Sequence, residues 1–148
     1  MNKTLILLVL VIIVLSWNFV FTEKKIGLTD QAKVLQGLSS AIAYKTAVAN
    51  YWVEKESLPD QDEWASEKPD VKVDISQTII NLIQVGVDGP GVISVHYIAK
   101  QGLDAPADIE GKKITLIPNA HDGKLVWTCL GTLPANLLPR NCSAIAEN

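Results

Sequence analysis

Apolar and polar positions divide this chain into three stretches. From Thr4 to Phe21 no residue is charged, and Leu5 to Leu15 is an unbroken aliphatic run. As a helix rising about 1.5 Å per residue, the uncharged stretch spans roughly 27 Å, close to a hydrocarbon core of about 30 Å. Trp17, Phe19 and Phe21 crowd its far end, where aromatic rings suit the headgroup layer. A cleaved secretory signal and a buried core helix also fit an apolar run. The anchor reading is preferred, because Trp17 is a poor residue to follow a cleavage site and the stretch is apolar all round. The chemistry therefore predicts a transmembrane anchor over residues 1–22.

The second stretch runs from Leu28 to Glu56. It has no proline and a single glycine, Gly37. Val34, Leu38, Ala41, Ile42, Val48, Ala49 and Trp52 fall at helical spacings, and Thr29 or Asp30 suits a helix start. Residues 23–56 are expected to form an amphipathic helix that continues the anchor into a domain. Ser57-Leu58-Pro59-Asp60 ends it.

In the third stretch, residues 57–148, the period changes. Asp60 to Asp70 is polar and acidic and reads as a surface loop. Val71, Val73 and Ile75 alternate. Strands are expected over Ile79–Val87, Val92–Ile98, Lys113–Ile117 and Leu125–Cys129. Asp88-Gly89-Pro90-Gly91 and His121-Asp122-Gly123-Lys124 are turns between them. The predicted fold is α+β, with the long N-terminal helix packed on a four-stranded antiparallel sheet.

Composition narrows the function. Apolar residues make up 48% and charged residues 20%, which excludes a disordered chain. Net charge is −3, and Arg140 is the only arginine, so DNA is not an expected partner. Lys100, Lys112, Lys113, Lys124 and Arg140 are the cations such binding would use. His96 and His121 lack nearby residues at a catalytic spacing. No enzyme activity, metal site or cofactor is expected. Cys129 and Cys142 bracket a loop holding Pro134 and Pro139. The simplest reading is one disulfide closing loop 129–142, with two free thiols as the alternative. A disulfide requires an oxidising compartment, which places the head outside the cytoplasm.

Several motifs resemble bacterial type IV pilins. They are Ala32-Lys33-Val34 and Lys45-Thr46-Ala47-Val48-Ala49-Asn50-Tyr51 in the helix. Further on come Ile114-Thr115-Leu116-Ile117-Pro118, Gly123-Lys124-Leu125-Val126-Trp127-Thr128-Cys129 and Leu137-Leu138-Pro139-Arg140-Asn141-Cys142. The last three resemble the final strands and disulfide loop of the type IVa subclass. The resemblance implies a roll with a C-terminal disulfide loop and a prepilin held in the bacterial inner membrane. Its head would lie in the periplasm, reaching the cell surface once assembled in a pilus. Other pilin subunits or pilus assembly proteins would meet the N-terminal helix. A host or surface receptor would meet the loop, where Asn136, Arg140 and Asn141 are the candidate binding residues. Adhesion is the function so implied.

The start of the chain departs from that pattern. Lys3 stands where the family has Phe, and Leu7 where it has the Glu thought to pair with a neighbour's amino terminus. The leader glycine has no counterpart. Two expectations follow. One is a major or minor pilus subunit. The other is a non-assembled, membrane-anchored accessory protein that binds or regulates pilins.

Overall fold

The computed structural model describes residues 30–67 and 69–145. The predicted anchor, with Lys3 and Leu7, lies outside the described residues. Among the described residues no helix is long and apolar enough to cross a membrane.

Helix α1 occupies residues 30–55. Val34, Ala41 and Val48, seven residues apart, are fully buried, and Leu38 and Tyr44 pack beside them. This is the stripe the helical spacing requires. Ile42 departs from expectation: it is 62% exposed, one position past the buried Ala41 and so turned about 100° from it. At Gly37 the helix presses close to the sheet. A Cβ there would lie 3.0 Å from Ile80 Cγ1 and 3.1 Å from the Tyr97 ring. The helix ends where Glu56 takes a left-handed φ of 56° and its amide donates to the Trp52 carbonyl at 2.9 Å.

The acidic segment expected to be a loop is helical. Helix α2 spans Gln61–Glu67. Asp60 Oδ1 accepts from the Glu63 amide at 2.8 Å, and Glu63 Oε2 accepts from the Asp60 amide at 3.0 Å. This reciprocal cap satisfies two amides that would otherwise lack partners. Trp64 stacks on Tyr44 at 6.5 Å, and Lys55 pairs with Glu67 at 3.0 Å, so α2 is tied to the end of α1.

The sheet comprises β1 (Ile80–Val85), β2 (Ile93–Tyr97), β3 (Lys113–His121), β4 (Lys124–Gly131) and β5 (Cys142–Ala144). They lie in sequence order, antiparallel through β4, and β5 then pairs parallel to β4. The expected four-stranded antiparallel sheet is thus a mixed sheet of five strands. The cause is the loop after β4. It returns the chain to Cys142, directly across from Cys129, and leaves it running the same way. Cys142–Ala144, outside the four strands expected, thereby becomes an edge strand.

Strand β3 extends past Ile117 to His121. Pro118 does not stop it, because β2 pairs only with Lys113–Leu116. At Pro118 the strand has a neighbour on the β4 side alone, and the missing N–H falls on an open edge. Ile93, Val95, Tyr97, Ile114, Leu116 and Cys129 face α1 and form the core with it. On the other face, Ser94 donates to Asp88 at 2.5 Å, and Lys113 Nζ donates to the same carboxylate oxygen at 2.8 Å. Thr115 is buried on that face, and its Oγ1 has no hydrogen-bond partner among the described residues.

Candidate functional site: the cleft beside the disulfide loop

The sequence after β4 builds a loop from short local bonds. The Pro134 carbonyl accepts from the Leu137 amide at 2.8 Å and the Leu138 amide at 2.9 Å. The Pro139 carbonyl accepts from the Cys142 amide at 2.9 Å. Leu133 and Leu137 are 4% exposed and root the loop in the core. The Cys129–Cys142 bridge joins residues whose Cα atoms are 4.5 Å apart across the β4–β5 pair. The disulfide expected from the spacing is therefore formed, and Cys129 is itself buried.

One side of this loop faces the beginning of α1. Gln31 Nε2 donates to the Asn136 carbonyl at 2.7 Å, which closes one end. Between them lies a cleft of about 270 Å³, lined by Gln31 and Leu35 from α1 and by Leu137, Leu138, Pro139, Arg140 and Asn141 from the loop. Leucine and proline form the walls, and Arg140 and Asn141 supply polar groups.

The structure thus brings two of the three candidate loop residues, Arg140 and Asn141, to one cleft. Asn136 contributes its backbone carbonyl at the end. The wall from α1 was not foreseen. Its signal was Leu35, which falls outside the buried spacing of Val34, Ala41 and Val48 and is 52% exposed.

The cations considered for DNA do not form one open stripe. Lys100 Nζ donates to the carbonyls of Ile75, Thr78 and Ile80 at 3.1, 3.3 and 3.2 Å, and Lys113 is held by Asp88. Of the histidines, His96 lies within β2, and His121 closes β3 with its Nδ1 3.1 Å from the Asp122 carboxylate. Among the described residues no group of three or more His, Cys, Asp or Glu is placed to hold a metal.

A second surface belongs to α1 alone. Ala32, Leu35, Ser39, Ile42, Ala43, Thr46, Asn50 and Val53 are all exposed and form a face opposite the sheet. None is charged. Leu35, Ile42 and Val53 are 52%, 62% and 73% exposed. Lys33 and Lys45 leave this face for its flanks, where Lys33 bonds to Asp104 and Lys45 lies 5.2 Å from the centre of the Trp127 ring.

A helix laid on a sheet closed by a C-terminal disulfide loop defines a class, and the comparison with family models agrees with it. Residues 31–143 match the pilin family, described as a bacterial filament protein. The chain belongs to the pilin family, a structural and non-enzymatic one. No curated protein matches the chain at a significant level.

Proposed function

We propose that this chain is a structural subunit, major or minor, of a bacterial type IV pilus. In this reading the uncharged segment up to Phe21 holds it in the inner membrane before assembly, with the head in the periplasm. Assembly carries the head to the cell surface, where the disulfide loop contributes to adhesion.

The observation that supports this reading best is the face of α1 opposite the sheet. A helix facing water on one side normally carries charges there. This one exposes Leu35, Ile42 and Val53 among alanine, serine, threonine and asparagine. Such a face gains by leaving water, at about 25 cal/mol per Å² of apolar surface covered, and small residues let another helix approach closely. Packing against further subunits would cover it.

Mass spectrometry of cell membranes and of sheared filaments tests the proposal. The chain is expected in the sheared fraction. An intact chain beginning at Met1 and confined to membranes would instead make it an accessory protein that remains with the membrane.

A further inference from the structure

We propose that the cleft beside Arg140 receives the carboxyl-terminal end of α1 from a second copy of this chain. Val53 would sit against the leucine walls, and the carboxylates beside it would face the guanidinium. The inference rests on the filament-subunit reading above and names the surfaces that meet.

The cleft lacks something its chemistry asks for. Arg140 makes no hydrogen bond or ion pair among the described residues, whereas Lys33, Lys55 and Lys113 are each held by a carboxylate. Arg140 is exposed and lines the cleft together with Leu35, Leu137, Leu138 and Pro139. A guanidinium beside an apolar trough suits a ligand with one apolar side chain and an adjacent carboxylate, which the fork can grip with two parallel bonds.

That ligand exists at the other end of the same molecule. Val53 is 73% exposed, more than any other large apolar residue described. Glu54 and Glu56 follow it, both exposed. From Glu54 to Glu67 the sequence holds six carboxylates and a single cation, Lys55, which Glu67 already engages. The acidic end and Arg140, unpaired among the described residues, are complementary.

One chain cannot satisfy itself. Leu35 and Val53 are separated along α1 by about 27 Å, at ~1.5 Å per residue. The contact must therefore join two copies, and it joins different surfaces. Copies that all point one way along an axis repeat this contact from copy to copy, as the filament reading requires. Two antiparallel copies would instead close on the pair, with each Val53 in the other's cleft, and give no ladder in the test below. Leu35 and Val53 also lie on the same side of the helix, five turns apart. A pure translation would leave both pointing the same way, so each added copy must also rotate. Repetition then winds a helical filament.

The test uses the full chain in cells that make filaments. Arg140→Glu is expected to lower the amount of chain in the sheared fraction about tenfold, as is the pair Glu54→Arg with Glu56→Arg. Combining all three is expected to restore it to within about threefold, because the charges are exchanged rather than lost. A second variant carries Leu35→Cys and Val53→Cys, both at exposed positions. The two sites are too far apart to bridge within one chain, so mild oxidation of filaments should give a ladder of linked subunits on a non-reducing gel. Normal assembly of the Arg140→Glu variant would overturn the contact. So would wild-type chain in filaments with no ladder from the cysteine variant. Absence of wild-type chain from sheared filaments would instead overturn the filament reading, and this contact with it.

Discussion

The Tyr97 hydroxyl donates to the Val34 carbonyl at 3.2 Å, joining the end of β2 to the first described turns of α1. Tyr97 is 2% exposed, and burial pushes its phenol pKa well above the usual value near 10. The neutral form is favoured on folding, so stability is present below about pH 10 and falls as pH rises above it. Tyr97→Phe keeps the ring and loses the bond. It is expected to cost about 1 kcal/mol at neutral pH and to flatten the alkaline loss. Urea unfolding at pH 7 and pH 11 checks both.

Gly86 ends β1 against the cap of α2. Its φ is +82°, and a Cβ there would lie 2.5 Å from both the Asp60 carbonyl carbon and the Gln61 nitrogen. Backbone cannot swing aside as a side-chain end can. Gly86→Ala is therefore expected to lose about 3 kcal/mol, from the left-handed conformation and the clash together. Gly102 is the control, with φ +87° and nothing within 4 Å of the added carbon. Gly102→Ala should lose only about 1 kcal/mol. Equal losses in thermal unfolding would show that the α2 cap gives way without cost.

Residues that signal through periodicity or turn chemistry were readable in the sequence. Val34, Ala41 and Val48 marked the buried stripe of α1, and Asp122-Gly123 marked the β3–β4 turn. Cys129 and Cys142 marked the bridge. Features decided by partners distant in sequence were not. Pro118 looked like a strand end until the short reach of β2 made its position an edge. The parallel pairing of β5 follows from the path of the loop, which composition does not encode. Helix α2 was a missed local signal, since Asp60 and Glu63 have the spacing of a reciprocal cap. In the cleft, Arg140 and Asn141 were legible as polar groups of a loop. The wall from Leu35 required knowing which helical face the sheet leaves open.

Asp88 offers an acid-side test. The hydrogen bond from Lys113 first, and that from Ser94 second, hold its carboxyl below the ordinary carboxylate range. A depressed folded pKa contributes stability above the unfolded value near 3.9 and loses it as pH falls through the folded value. The carboxylate is about one-third exposed, so solvent screens the pair. Asp88→Asn is expected to cost about 1 kcal/mol at pH 7 and to reduce the loss of stability below pH 4. Parallel acid-unfolding slopes for wild type and variant would show that the Asp88 bonds contribute nothing.

The bridge from Cys129 to Cys142 closes a sequence separation of 13 residues. A loop of this size stabilises the folded state by about 3 kcal/mol on the chain-entropy account. Beyond the bridge, β5 is held to β4 over Cys142–Ala144 and by the Ile145 amide, which donates to the Gly131 carbonyl at 2.8 Å. Loss of the bond should therefore release the edge strand and loosen the cleft wall carried by the loop. Cys142→Ser is the better variant, since Cys142 is partly exposed while Cys129 is buried and a hydroxyl there would lack water. Its unfolding midpoint should fall to that of wild type in reductant, and amide exchange should quicken over residues 132–145. A variant as stable as oxidised wild type would mean that the contacts of Leu133 and Leu137 with the core hold the loop without the bridge.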